Sequence, residues 1–352
     1  MTIRKDGETR SAANFGHAAR EVGIKAIAEA LQLSASTVSR ALNGVPGVNP
    51  ATRKLVEDAA RAMGYVPNIG AQQLVGKRSN LIGVFVPEFD HGNALSASMF
   101  ASIQKALQSN GKDAIFYYLP YSKYEGQRLV ESVHARNLEG CILFPAFDEH
   151  HPLTKEALRI RVPFVNFEGV VGPRCSSAMS DDVEGGRLAA ERLLNAGHRV
   201  IGYIDGPAGV RVCRERYAGF KEELAKRGIP HPDSLRAVGD FSAASGGEAA
   251  RKLREAHPDM TAAFSANDLM ATGAISEWKK AGLRVPEDVS IVGYDDDSYG
   301  PFVSPPLTTI RHGQPRVLPL LIELLEGKTG RVEIEKPRLV ERQSVAAGPA
   351  FH

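Results

Sequence analysis

SASTVSRALNG, residues 34–44, sets Ser34, Ser36, Thr37, Ser39 and Arg40 around Val38, Ala41 and Leu42. Serine and threonine are mediocre helix formers, so helix propensity does not explain the run. It is either a polar turn of surface helix or a face made to meet something polar and negatively charged. The flanks bear on that choice. Upstream, IKAIAEALQL (24–33) repeats Ile24, Ile27, Ala28 and Leu31 at helical spacing. Leu33 can plug the corner, and Ser34 can cap the next helix. In that second helix Val38, Ala41 and Leu42 share an inner face, leaving Ala35, Ser36, Ser39 and Arg40 outside near its N-terminus. Downstream, VNPATRKLVEDAARAMGY (48–65) has Asn49 as N-cap and Pro50 at the first helical position. Leu55, Val56, Ala59 and Met63 form its expected buried stripe, and Gly64 closes it. Helix, tight turn, helix and third helix is the helix-turn-helix plan, whose second helix enters a major groove.

Small side chains at that N-terminus let the backbone approach. Hydroxyls can bond base edges or phosphates, and Arg40 can reach a guanine or a phosphate. Charge agrees. Residues 1–78 carry 11 Lys or Arg against 6 Asp or Glu, although the whole 352-residue chain has a net charge of only +2. A basic head on a slightly acidic body suggests an anionic partner. Residues 1–22 read as a flexible leader with no apolar signal core. Cys141, Cys175 and Cys213 are odd in number and far apart, which fits a reducing cytoplasm and gives neither a disulfide framework nor a zinc pattern. No stretch approaches the roughly 18 apolar residues of a membrane span.

From residue 80 the pattern changes. LIGVFVP, DAIFYYL, GCILFP, PFVNFE, VIGYIDG, RAVGDF, AAFSA and VSIVGYDD alternate with long amphipathic stretches. Such alternation predicts two lobes of doubly wound parallel sheet, with a ligand beyond the carboxyl ends of the strands.

The stretches IKAIAEALQLSASTVSRALNG, ATRKLVEDAARAMGYVPN and AQQLVGKRSNLIGVFVP together resemble the lactose-repressor (LacI/GalR) family of bacterial transcription regulators, over about residues 24 to 347. The resemblance implies a helix-turn-helix head at 23–66 and a hinge helix or linker at 67–79. It also implies a periplasmic-binding-protein-like effector-binding and dimerisation body at 80–352. The N-lobe is expected at about 80–179 and 307–328, the C-lobe at about 180–306 and 329–348. DNA contacts are implied at Lys25, Ser34, Ala35, Ser36, Thr37, Ser39, Arg40, Asn43 and Asn68, with Ala71 and Gln72 lining a minor groove and Leu74 wedged into it. Arg216, Phe241, Asn267 and Asp295 match effector-pocket positions, Asp181 is placed to orient Arg216, and His91 and Asn93 are candidate polar contacts. Asp295 can accept from vicinal hydroxyls, Arg216 can donate a fork of bonds, and Phe241 can stack on a ring. The same residues admit plain structural roles: Asp295 as a helix cap, Arg216 as a surface arginine, Phe241 as core.

This sequence also departs from the family. Gln32 stands where the family usually has Gly in the turn. Gly70 replaces an aliphatic residue and makes the free hinge less helical, by about 0.5–1 kcal/mol relative to Ala. His91-Gly92-Asn93-Ala94 replaces an aromatic wall, so the ligand differs from one that wall would grip.

No G-x-S-x-G, G-x-x-x-x-G-K-[ST] or H-E-x-x-H motif is present, so no catalysis, metal or cofactor is expected. Asp295-Asp296-Asp297 reads as a solvated strand end and His150-His151 as surface loop. No leucine heptads follow Val345, so a homodimer on a roughly palindromic operator is expected, not a tetramer. The reading is a cytoplasmic regulator, expected to act as a repressor, controlled by a sugar or sugar derivative. The competing class is a two-lobe solute-binding protein without DNA-linked regulation.

Overall fold

The computed structural model describes residues 22–66, 79–89, 92–93, 97–120, 124, 126–144, 150–160, 162–313 and 316–349, with backbone alone at 87–89, 92–93, 97–99 and 120. It divides into two units, Met1–Arg78 and Ser79–His352.

The head has α1 (Ile24–Leu31), α2 (Ala35–Leu42) and α3 (Pro50–Ala62). Ser34 accepts from the Thr37 N–H at 3.0 Å, and Asn49 from the Ala51 N–H at 2.9 Å. Both caps satisfy amides that have no partner inside their helices. Ile27, Ala28, Val38, Ala41, Val56 and Ala60 form the core. Leu55 is 52% exposed, against expectation. Val56 and Ala60 lie one turn apart and take the inner face, which turns Leu55 away by about 100°.

Gln32 ends α1 at φ +54°, with its N–H directed to the carbonyls of Ala28 and Glu29. A side chain in this left-handed region crowds the carbonyl that follows. Gln32→Gly should therefore stabilise the head by about 1 kcal/mol, read as a higher unfolding midpoint. A lower midpoint would mean that the Gln32 side chain contributes more than the strain removes.

In the body, one sheet contains β1 (Leu81–Phe89), β2 (Gly92–Asn93), β3 (Asp113–Pro120), β4 (Gly140–Leu143), β5 (Phe164–Asn166) and β6 (Cys175–Ser180). With β12 (Val332–Glu335) its order is β12-β6-β5-β4-β1, with β3 parallel on β1's other side and β2 antiparallel at β1's end. Helices α4 (Ala97–Ser109), α5 (Arg128–Arg136) and α6 (Pro152–Arg159) connect these strands. Residue parity explains a two-sided sheet. Ile82, Val84, Val86 and Ile142 pack in one cluster, while Phe85, Cys141 and Leu143 pack in another.

The second sheet runs β13-β11-β10-β9-β7-β8. It contains β7 (Ile201–Asp205), β8 (Arg236–Val238), β9 (Ala262–Ser265), β10 (Ser290–Tyr294), β11 (Thr308–Arg311) and β13 (Arg338–Val340). Its helices are α7 (Asp182–Asn195), α8 (Arg211–Lys226), α9 (Ala243–Ala256) and α10 (Asp268–Lys280). Tyr203, Phe220, Phe264 and Trp278 anchor its core. After β11 the chain returns to the first sheet through α11 (Val317–Leu325) and β12 (Val332–Glu335), which pairs with β6.

The expected lobe boundaries at 307 and 329 both fall too early. Thr308–Arg311 pairs with β10 and β13 in the C-lobe sheet, and Val332–Glu335 belongs to the N-lobe sheet. The three crossovers lie side by side. The Asp181 N–H donates to the Glu335 carbonyl at 3.0 Å, and the Gly313 N–H donates to Ser180 Oγ at 3.0 Å. A Cβ at Gly313 would stand 2.2 Å from the Glu335 carbonyl oxygen, so glycine is what lets the strands run this close.

Candidate functional site

The lobes meet where the carboxyl ends of β5 and β6 face the first turns of α7 and α8. A connected series of charged groups runs across this seam. Glu168, just past β5, accepts from Arg211 Nε at 3.0 Å, and the Phe167 carbonyl accepts from Arg211 Nη2 at 2.7 Å. Arg211 opens α8, pairs with Glu215 one turn on, and lies 3.9 Å from Asp182. Asp182 accepts from Arg216 Nε at 2.9 Å. Arg216 donates to the Ala266 carbonyl at 2.6 Å, lies over the Tyr294 ring at 3.6 Å, and reaches Asp295 at 4.0 Å. Asp295 closes the series 2.8 Å from His312 Nε2.

Burial and pairing set the electrostatics. Burial works against the charge on Arg216, but Asp182, then Tyr294 and Asp295, outweigh it and hold the pKa above the ordinary arginine value. Arg211 is likewise raised: Glu168, Glu215 and Asp182 outweigh its desolvation. Asp268 is pushed well above the usual carboxylate range by burial and then by Asp295, and it accepts from the Asp297 N–H at 2.9 Å. Cys213, against the same wall, is pushed up to about 12 by burial, so it is a thiol and not a nucleophile at neutral pH.

The four pocket positions expected from the sequence do come together. Arg216 and Asp295 share the ionic series. Phe241, at φ +70°, packs against Val210, Val212 and Cys213, and its carbonyl accepts from Asn267 Nδ2 at 3.1 Å. Asn267 also caps α10 through the Met270 N–H at 2.9 Å, so its side chain shapes the wall around Phe241. Arg216 is no surface arginine, being 3% exposed.

Three expectations are corrected. Asp181 does not orient Arg216. Its carboxylate accepts the Glu184 N–H at 3.0 Å and caps α7, while the next residue, Asp182, takes the guanidinium. His151 is buried, not surface loop, and caps α6 by accepting from the Leu153 N–H. The run of three aspartates is not a solvated strand end. It lies past β10, with Asp295 at φ +117° and Asp296 at φ +57°, and this turn sends the three apart: Asp295 faces His312, Asp296 is held by Arg311 and Arg342, and the Asp297 N–H donates to Asp268. Glu168, Arg211 and His312 were not singled out from the sequence, although each stands at a strand end or helix start. His91 lies outside the described residues. Asn93 is placed only by its backbone in β2.

On the head, Lys25, Ser34, Ala35, Ser36 and Arg40 are exposed, and Thr37, Ser39 and Asn43 are half-buried. Asn43 Nδ2 donates to Ser39 Oγ at 3.2 Å. Arg40 turns back, its Nη2 donating to the Pro46 carbonyl at 2.9 Å, and so braces the loop after α2 instead of projecting from it. Arg53 braces the same loop through the Val45 carbonyl at 3.0 Å. The small Ala35 and Ser36 are thus the exposed tip of α2. Asn68, Ala71, Gln72 and Leu74 lie outside the described residues.

Residues 23–68 match the family described as bacterial regulatory proteins, lacI family, and residues 190–345 match a periplasmic binding protein-like domain. The HTH-type transcriptional regulator CelR of Thermobifida fusca is 32% identical, across 88% of this chain and 94% of its own length. The chain belongs to the LacI family. The crystal structure of the lac repressor dimer bound to operator and the anti-inducer ONPF superposes with a TM-score of 0.78 at 30% identity, covering 93% of this LacI-family chain and all of that one. A transcriptional regulator CelR–cellobiose complex gives 0.66 at 30% identity, over 92% and 99%. The LacI-family chain is therefore a helix-turn-helix DNA-binding transcriptional regulator with an effector-binding body. Its relatives are transcriptional regulators, not enzymes. A solute-binding body without DNA-linked regulation does not fit a chain whose residues 23–68 match a regulatory family. No helix among the described residues is long and apolar enough to cross a membrane.

Proposed function

We propose that this chain is a cytoplasmic, homodimeric repressor that binds a roughly palindromic operator and releases or tightens its grip when a sugar or sugar derivative enters the cleft. The observation that carries this is the ionic series from Glu168 to His312. It joins groups from the N-lobe, the C-lobe and a crossover at one place. A ligand touching Asp295 there acts on the contacts that fix the angle between the lobes. Because only differential affinity moves a two-state equilibrium, the effector must prefer one lobe angle. The solved complex of the relative CelR with cellobiose supports a carbohydrate. In the proposed complex Ala35 and Ser36 lie nearest the base edges. Lys25, Ser34, Thr37, Ser39, Arg40, Asn43 and Asn68 position the head, and Ala71, Gln72 and Leu74 engage the minor groove.

The test is operator selection from random duplexes, followed by mobility shifts with a sugar panel. Asp295→Ala should keep operator affinity within about twofold and lose the sugar response. A variant that still responds fully would remove Asp295 from the pocket. A wild-type protein with no preference for any duplex would end the reading altogether.

A further inference from the structure

We propose that the tip of α2 selects a 5-methylpyrimidine, thymine in ordinary DNA, and that the methyl group of Ala35 makes the selection. The inference rests on the head binding an operator and goes on to name the base chemistry that it reads.

A recognition helix meets base edges with its N-terminal residues. In α2 the groups around that end differ in what they have left to offer. Ser34 Oγ lies 2.8 Å from Thr37 Oγ1 and accepts from the Thr37 N–H, so these two side chains are turned toward each other. Ser39 Oγ accepts from Asn43 Nδ2. Arg40 is exposed, but its Nη2 donates to the Pro46 carbonyl, and it reaches a base only by giving up that bond. In the first turn of α2 Val38 is buried and Thr37 half-buried, which leaves Ala35 and Ser36 as the exposed side chains.

Neither side chain can make the paired bonds by which longer ones tell guanine or adenine from the other bases. A hydroxyl both donates and accepts, so Ser36 suits any base edge and adds affinity without choice. Ala35 offers a methyl group alone. The apolar group that a base presents in the major groove is the 5-methyl of thymine, so contact with it is the discrimination that the Ala35 side chain can make. Burying one methyl is worth about fourfold in affinity. Two heads on a palindromic operator bring that to about fifteenfold.

The experiment is a cycle between protein and DNA on an operator selected from random duplexes by the full-length protein. Each thymine of the half-site is replaced in turn, symmetrically, by uracil, which removes the methyl and nothing else. At one position this should weaken wild type by about fifteenfold. Ala35→Gly should bind the parent operator more weakly and show no further loss with uracil at that position. Cytosine placed there should also weaken wild type, and 5-methylcytosine should recover about fifteenfold for wild type but nothing for Ala35→Gly. Both proteins are compared at a temperature at which both are folded, and the uracil scan of wild type needs no variant at all. The proposal is overturned if no thymine methyl matters to wild type, or if Ala35→Gly keeps the uracil penalty. It is also overturned if Thr37→Ser, which removes the other exposed methyl of that turn, abolishes the penalty and Ala35→Gly does not. A selection that returns no preferred duplex would end the operator reading and this inference together. A well-defined operator indifferent to the methyl would end this inference alone.

Discussion

Asp182→Ala should lower the unfolding free energy of the body by about 3–5 kcal/mol and eliminate the effector response, whereas Asp181→Ala should cost about 1 kcal/mol and leave the response in place. The two carboxylates are adjacent in sequence but differ in what they face. Asp182 is 2% exposed and holds Arg216 at 2.9 Å, and Arg216 is itself 3% exposed. Without Asp182 the guanidinium keeps its charge, since arginine does not deprotonate in proteins. It is then left with the Ala266 carbonyl, the Tyr294 ring and a distant Asp295. A buried charge stripped of its partner is among the costliest single changes in a folded chain. Asp181 only caps α7, so its loss frees one helix-end amide to water. Asp182→Asn should fall between the two, because it keeps an acceptor and drops the charge. Urea unfolding of the full chain, paired with calorimetry on any sugar that wild type binds, gives both readouts. Equal costs for the two alanine variants would mean that the Asp182–Arg216 pair does not hold the site.

The same pair of residues shows how far sequence reaches. The head is legible because its signals are local: Ser34, Asn49 and Pro50 mark helix starts, and the periodicity of Ile27, Ala28, Val38 and Ala41 marks the core. Leu55 was misplaced by one position, and one position is about 100° of helix. In the body the alternation of strands and helices gives the fold class. It does not say which sheet a short strand joins, because pairing is non-local. Thr308–Arg311 and Val332–Glu335 are both short, and only their partners β10 and β6 assign them. Asp181 against Asp182 is a case of the first kind. N-cap logic would have committed Asp181 to the Glu184 amide and left Asp182 to turn inward. Glu168 and Arg211 are of the second kind. They lie 43 residues apart, and no spacing rule joins them. Arg40 is of a third kind. Its residue type suits phosphate or guanine, but the following loop offers the Pro46 carbonyl at closer range.

Gly219→Ala should cost at least about 3 kcal/mol, the upper end of what overpacking does, and should also remove the effector response. Gly219 lies mid-way along α8, where that helix crosses α7. A Cβ there would stand 1.8 Å from the Val183 carbonyl oxygen and 2.7 Å from its carbon. At Gly186 on α7 the reciprocal Cβ would stand 1.9 Å from the Arg216 carbonyl oxygen. Both obstacles are backbone, so no rotamer change relieves them and the helices must part. The consequence is more than lost packing. Val183 follows Asp182, and Arg216 lies on the strand-facing side of the same crossing. Parting α7 from α8 therefore stretches the 2.9 Å bond on which the site depends. Gly228 supplies the control. It has φ +70° but open space around a would-be Cβ, so Gly228→Ala should cost only the left-handed strain, about 1 kcal/mol, and leave the response intact. If Gly219→Ala melted no lower than Gly228→Ala, the close crossing of α7 and α8 would not be what positions Arg216.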